Sequence, residues 1–407
     1  MMSRSRRYEF TLVGLLVLLW GSVGLNRIGI GAIFPEIKPA FGMSNLETSL
    51  LISGTSVTWA ISSWAGGWLS DRYGRRWVLL PAALWICVVT AAMGITWGFW
   101  SMFIVRDLLG IGDGIGWSVG ESAISEESAP QRRGLNQALF TAGYTFVGAA
   151  IGPLIITRLS LALGWRWVFP IIGGATLLVV AGLAFAMREP LERKARRTHD
   201  WRAGFIALRR PSLAYITVMG CAILAWLQVS IGFDQLFLTE VRGFSKLDAG
   251  SIASVWGFAG TAGQIILPLA SDFWGRRPVT LVSALASAAA LAAYISGGAG
   301  MTGMQILLGI SGFFGFGVLP IVLATCVSEA VPEEIRGAAL GVTNFFAVII
   351  GTTLMPVIAG RVADHSGLAA ALWIAVAAQL AVAALIPAIN ETAPRVVARL
   401  AALRTAT

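Results

Sequence analysis

Cysteine and histidine are scarce in this chain of 407 residues: three cysteines, Cys87, Cys221 and Cys326, and two histidines, His199 and His365. The cysteines all fall inside apolar runs, so neither a disulfide framework nor a Cys/His zinc spacing can be composed. Both histidines fall between apolar runs, which leaves no imidazole in the bulk of the chain to relay protons. Charge is scarce too, at 13% of residues against roughly 25% in soluble domains, which excludes an ordinary soluble globular protein. H-E-x-x-H is missing, and the one G-x-S-x-G match, Gly116 to Gly120, lies inside an apolar run, so no enzyme class is suggested, and no cofactor or metal is expected. What is there is apolar surface: 56% hydrophobic residues, 47 glycines, 16 tryptophans and a mean hydropathy of +0.75. That composition fits a polytopic membrane protein. The net charge of +9 sits in short segments between apolar runs and reads as membrane orientation, not as a nucleic-acid footprint.

A bilayer core takes about 20 apolar residues per helix, and twelve such stretches can be marked, from 11–34 to 367–388. The first is too long for a signal peptide and has no clear small-residue cleavage site. With the N-terminus placed in the cytoplasm, the tails and even-to-odd loops hold 22 Lys and Arg and the opposite loops hold 6. This asymmetry predicts both termini on the cytoplasmic side of a plasma membrane, the inner one in a bacterium. Two arginines, Arg27 and Arg106, remain inside predicted helices. The long break at 188–211 carries eight basic and three acidic residues and divides the chain into an N-terminal six-helix unit (1–187), a linker (188–211) and a C-terminal six-helix unit with a short tail (212–407). Trp201, Phe205, Ile206 and Leu208 beside arginines allow surface-lying helical pieces in the linker, with a solvated strand of chain as the alternative.

The two halves repeat. Ser70, Asp71, Gly74, Arg75 and Arg76 meet Ser271, Asp272, Gly275, Arg276 and Arg277 at an offset of 201. Glu127, Pro130 and Gly134 meet Glu329, Pro332 and Gly337, and Pro153 meets Pro356, at offsets of 202 to 203. A parallel repeat of two six-helix halves is a transporter plan, with substrate held between halves near the midplane.

On these residues the chain resembles the major facilitator superfamily (MFS) of secondary transporters. Gly67, Asp71, Arg72, Gly74, Arg75 and Arg76 in GGWLSDRYGRR match the family's G-x-x-x-D-R-x-G-R-R loop, Asp272 to Arg277 form its half-copy, and Glu329, Pro332, Arg336 and Gly337 match E-x-x-P-x-x-x-R-G. The resemblance implies an all-α membrane fold of twelve helices and a latch made from Asp71, Arg75 and the acidic end of helix 4, with Glu127 and Arg133 as the first-half partners of Glu329 and Arg336. A carboxylate at Asp71 or Asp272 can also face a helix N-terminus and pair with nearby arginines. The alternative is that these arginines only fix orientation.

Charges present in one half alone are the better candidates for substrate and coupling. Arg27 has Gln228 as its counterpart, and its guanidinium suits a carboxylate or phosphate in two parallel hydrogen bonds. A structural pair with an acid of helix 4 or 7 is the competing reading. Arg27, Pro35 and Ile37 resemble the helix 1 pattern of the family's organic-anion:proton symporters, although Asn26 stands where that branch commonly has an aspartate. In helix 4, Arg106, Gly110 and Gly112 resemble the family's R-x-x-x-G-x-G motif, and Asp113 corresponds to a glutamate tied in the anion branch to protonation or substrate. Arg106, Asp113 and Glu121 fall within one arc of the helix. An ionisable residue at membrane depth costs at least about 2.5–3.5 kcal/mol, so each is a functional candidate. Asp113 either takes up the coupling proton or forms a fixed pair with Arg106; Glu121 can hand a proton onward. The glycines at 110, 112, 114 and 116 do not make a phosphate loop and read as close helix packing. Asp234 faces either the cavity or the outer interface. Trp59, Trp64, Trp117, Tyr144, Trp226, Trp256, Gln264 and Asn344 are the aromatic and amide candidates for a pocket.

These readings favour a monomeric carrier that takes up a small organic anion with protons through the lipid bilayer. Gly148-Ala-Ala-Ile-Gly152-Pro153 matches part of an antiporter signature and raises a proton-driven exporter of drugs or metabolites, though Leu154 and Ile155 replace the following Gly-Gly. A non-transporting membrane sensor is the third reading and is expected to bring a long soluble signalling segment.

Overall fold

The computed structural model describes residues 6–188 and 201–397, and no side chain is described for residues 201–203. All regular structure among the described residues is helical. Twelve long helices follow in order: α1 (Arg6–Phe41), α2 (Asn45–Tyr73), α3 (Arg75–Ile95), α4 (Phe99–Glu127), α5 (Arg133–Leu163), α6 (Trp165–Ala186), α7 (Pro211–Val241), α8 (Lys246–Trp274), α9 (Arg276–Ser296), α10 (Met301–Glu329), α11 (Glu333–Ser366) and α12 (Leu368–Ala388). Ten of them are long and apolar enough to cross a membrane. The other two, α2 and α4, are equally long but rich in Ser, Thr and Gly or in charge, and they carry much of the site described below. A short helix, Trp201–Ala207, precedes α7. Its Phe205 meets Phe346 of α11 edge-on at 6.1 Å, so this end of the break is helical and docked; residues 189–200 lie outside the described residues.

Local chemistry sets several of these boundaries. Ser44 caps α2: its Oγ accepts from the Glu47 amide at 3.1 Å, and Glu47 Oε2 accepts from the Ser44 amide at 2.8 Å, a reciprocal pair that satisfies two otherwise orphaned donors. Gly74 and Gly275 adopt the same conformation, φ 104° with ψ 151° and 149°, which an L side chain resists and which turns the chain sharply between α2 and α3 and between α8 and α9. The helical ladder widens at Phe146–Ile151 just before Pro153, at Ala347–Leu354 just before Pro356 and at Ile321–Cys326 just after Pro320. Proline supplies no amide to the ladder, which accounts for the wider turn there.

The fold divides into two compact units, the first built on α1 to α6 together with Gly243–Gly250, the second on the remainder. Within each, close helix contacts rest on glycine. In the first, a Cβ at Gly110 or Gly114 would strike the α2 backbone at Thr55 or Trp59, whereas one at Gly112 or Gly116 would face Ile86 of α3. The alternate glycines of α4 thus serve two neighbours, each pair four residues apart. Gly148 of α5 lies against Gly24 of α1, with 2.5 Å from its would-be Cβ to the Gly24 carbonyl carbon. The antiporter-like glycines therefore have a packing role. The second unit repeats the device: Gly263 abuts the Phe313 carbonyl, Gly312 that of Trp256 and Gly351 that of Cys221.

Candidate functional site

The loop signature forms the same construction twice. In the first unit Arg75 pairs with Asp71 at 2.8 Å and with Glu126 at 2.8 Å, and its Nη1 also donates to Ser70 Oγ. In the second, Arg276 pairs with Asp272 at 2.6 Å and Glu329 at 3.0 Å and donates to Ser271 Oγ at 2.6 Å. Arg76 Nη2 donates to the Ala184 carbonyl, and Arg277 Nη2 to that of Pro387. The acid that meets Arg75 is Glu126, one residue before Glu127, so the structural offset to Glu329 is 203. Asp272 does not cap α9: Glu391 does, accepting from the amides of Arg276 at 2.8 Å and Arg277 at 3.1 Å. Beside these ion pairs, Gly67 faces open space, Arg72 lies over Trp68 and Tyr73, Arg133 Nε has no partner, and Arg336 Nε donates to the Ser328 carbonyl at 3.1 Å.

Deeper in the first unit, α1, α2, α4 and α5 bring together Arg27, Ser56, Trp59, Arg106, Asp113 and Tyr144. Arg27 is half-buried; its Nη2 donates to Ser56 Oγ at 3.2 Å and its guanidinium lies 5.5 Å over the Trp59 ring. Among the described residues of the first unit no carboxylate forms an ion pair with it, so the pair with a helix 4 acid is not formed here. Arg106, only 1% exposed, is engaged otherwise: Nε donates to the Leu51 carbonyl at 2.6 Å and Nη1 to that of Asn26 at 3.3 Å. It stitches α4 to α1 and α2. The fixed Arg106–Asp113 pair is not formed; Asp113 is fully buried and neither carboxylate oxygen has a hydrogen-bond partner. Both arginines are within electrostatic reach of Asp113 and of Tyr144. Trp20 stacks on Tyr144 at 5.2 Å and meets Trp117 at 4.8 Å, so Tyr144 is held from behind by an aromatic wall. Glu121 is exposed, and its backbone carbonyl accepts from Gln137 Nε2 at 2.8 Å.

The second-unit candidates are arranged differently. Gln228, the counterpart of Arg27, is buried, Gln264 is half-buried and Asn344 is exposed. Trp226, Trp256 and Phe316 form one buried aromatic cluster with centroids 4.6 to 5.8 Å apart, and neither indole Nε1 has a partner. Trp64 is 74% exposed. Asp234 is 5% exposed and its Oδ1 has no partner.

One residue cluster escaped the sequence reading. Glu9, 4% exposed near the start of α1, accepts from Arg132 Nη2 at 2.6 Å, Asn136 Nδ2 at 2.9 Å and the Ala129 amide at 3.3 Å. This ties α1 to the α4–α5 connection through Arg132, the neighbour of Arg133. Arg132 lies in that connection, outside the membrane helices, and the hydrogen bond to Glu9 raises its proton affinity above that of a free arginine.

The family model described as the Major Facilitator Superfamily matches residues 16–351 and 236–401. A probable 4-methylmuconolactone transporter of Cupriavidus pinatubonensis is 24% identical over 349 residues, covering 84% of this chain and 80% of that protein. A probable galactarate/D-glucarate transporter of Escherichia coli K12 is 23% identical over 397 residues, covering 85% and 86%. A membrane sensor protein of Salmonella typhimurium is 24% identical over 422 residues, covering 96% and 94%.

Proposed function

This chain belongs to the Major Facilitator Superfamily, and from that premise we propose that it is a secondary carrier working by alternating access, taking up a small organic anion, a carboxylate, together with protons. The observation that carries the reading is Arg27: a guanidinium at membrane depth, held by one hydroxyl and one indole face, with no carboxylate to neutralise it. Keeping such a charge in the bilayer costs several kcal/mol unless an anion pairs with it during the cycle. The relatives named for galactarate, D-glucarate and 4-methylmuconolactone support an organic acid as that anion.

Coupling follows from the geometry of Asp113. An anion on Arg27 cancels positive potential at the buried carboxylate, so proton uptake by Asp113 becomes more favourable once substrate is bound. By linkage the proton favours the anion equally, which is the thermodynamic content of symport. Arg106 keeps its position through the Leu51 and Asn26 carbonyls and supplies a standing positive field. Glu121 lies two turns further along α4 toward the latch and offers the proton its next carboxylate. The Arg75 and Arg276 latches hold the loop end of each unit and open as the carrier changes state. The distribution of basic residues supports the cytoplasm of a plasma membrane as the side on which that end lies.

Sensing without transport is the competing reading, prompted by the sensor relative. Purified protein separates binding from coupling. Titrating galactarate, D-glucarate and sulfoacetate against tryptophan fluorescence should give saturable binding that weakens in Arg27→Lys and is lost in Arg27→Ala. Binding should also be accompanied by proton uptake from a weakly buffered solution, absent in Asp113→Asn. Unchanged binding in Arg27→Ala overturns the anion assignment; binding with no proton uptake overturns the coupling assignment.

A further inference from the structure

A second uncompensated carboxylate lies in the other unit, and nothing in the reading above uses it. Asp234 of α7 is 5% exposed, Ser230 one turn earlier is 1% exposed, and Tyr294 of α9 is 0% exposed; Asp234 Oδ1, Ser230 Oγ and the Tyr294 hydroxyl all lack hydrogen-bond partners. Tyr294 is within electrostatic reach of Asp234. Of the other helices packed against α7, α12 also packs against α9 and has no ionisable side chain, and α11 has Arg361, Asp364 and His365, all exposed. Gln379 of α12 is 0% exposed, with neither amide atom partnered.

These groups are graded in depth. At about 1.5 Å per residue, Tyr294 lies about 3 Å, Asp234 about 10 Å, and Ser230 and Gln379 about 16 Å from the end of the unit formed by Val241, Ser296 and Leu368. At that end Arg242 Nη2 donates to the carbonyls of Tyr294 and Ile295, its guanidinium lies 5.1 Å over the Phe237 ring and its Nε has no partner, while Arg361 and His365 of α11 are exposed. Around Asp234 the neighbours on α7 are Gln235, 4% exposed, and Phe233, Leu236, Phe237 and Leu238, all at most 1% exposed. A buried carboxylate in such surroundings is tolerated only with a positive partner or a proton. Among the described residues no cation forms an ion pair with Asp234.

We infer that Asp234, with Ser230 and Tyr294, is a monovalent-cation site of the second unit, one that carries a proton or a sodium ion independently of Arg27 and Asp113. Tyr294 lies nearest the end of the unit, and Ser230 and Gln379 extend the polar path inward. The inference does not rest on anion transport, since it concerns how one buried carboxylate is neutralised.

The test is an infrared titration of the purified full chain, following the carbonyl stretch of protonated carboxylic acids, in wild type, Asp234→Asn, Asp113→Asn and Tyr294→Phe. The proton form predicts a band, lost on alkalinisation, that is missing in Asp234→Asn, retained in Asp113→Asn and shifted in frequency by Tyr294→Phe. The sodium form predicts that sodium chloride, replacing choline chloride at constant ionic strength, abolishes that band or raises thermal stability in wild type but not in Asp234→Asn. A wild-type spectrum identical to that of Asp234→Asn at every pH, together with no sodium response, overturns the site. If Asp234→Asn does not fold, the Tyr294→Phe spectrum decides: a band and sodium response unchanged from wild type overturn it as well.

Discussion

Gly114 and Gly116 stand two residues apart on α4 and should respond oppositely to the same substitution. A methyl group at Gly114 would overlap Ser62 Oγ and the Trp59 carbonyl and would stand 2.8 Å from the Ser63 amide nitrogen. Carbon contacts settle at about 3.5–4.0 Å, so α2 and α4 must part by about 1 Å. Overpacking of this kind costs about 1–3 kcal/mol, and the helix gains back about 0.5–1 kcal/mol when glycine becomes alanine. The net expectation for Gly114→Ala is a loss of about 1–2 kcal/mol. At Gly116 the nearest atom is Ile86 Cδ1 at 3.7 Å, an ordinary contact, so Gly116→Ala keeps only the gain. For units of this size 1 kcal/mol moves Tm by about 2–4 °C. Tryptophan fluorescence melts in detergent should therefore show Gly114→Ala lowered by about 2–8 °C and Gly116→Ala level or slightly raised. The site gives a second readout. Asp113 precedes Gly114 directly, and Ser56 and Trp59 lie on the helix that is pushed away, so Gly114→Ala should also weaken anion binding. Equal melts for the two variants would refute the assignment of alternate glycines to two different neighbours.

Arg27→Lys keeps the charge but loses the planar fork, and should weaken carboxylate binding about 10-fold; Arg27→Ala should weaken it about 100-fold or more, read by fluorescence titration. Asp113→Asn should abolish stimulation of uptake by a proton gradient while leaving exchange of internal for external anion, measured in preloaded vesicles. Arg75→Glu should impair transport, and adding Glu126→Arg should restore part of it, because the two side chains face each other at 2.8 Å; a double variant no better than the single would remove the direct latch.

The parts of this molecule legible in the sequence were those written in residue type and spacing. The loop signature and its repeat carry Asp71 with Arg75 and Asp272 with Arg276 four residues apart, so these two ion pairs, local in the chain, are legible in residue type and spacing. The twelve helices were legible from apolar run length, including α2 and α4, whose polarity marks them as functional and not as absent. The partners of Arg106 were hidden: it donates to backbone carbonyls, which every residue possesses, so sequence offered Asp113 as its natural partner and the fold chose Leu51 and Asn26. Glu9 was hidden for a related reason. A single acid at the start of an apolar helix reads as a solvated end, and only the return of the α4–α5 connection, 120 or more residues later, buries it. Glu126 and Glu127 are adjacent, and which of them meets Arg75 depends on helical phase that residue type does not record.

The most direct measurement of the central claim is uptake of labelled galactarate, D-glucarate, D-galactonate, sulfoacetate and 4-methylmuconolactone into proteoliposomes, with and without an inward proton gradient, in wild type, Arg27→Ala and Asp113→Asn. The account predicts gradient-stimulated uptake of at least one of these anions, lost in Arg27→Ala and uncoupled from the gradient in Asp113→Asn. Uptake of none of them, with gradient-driven efflux of lipophilic cations that survives Arg27→Ala, would contradict it and return Arg27 to a structural role.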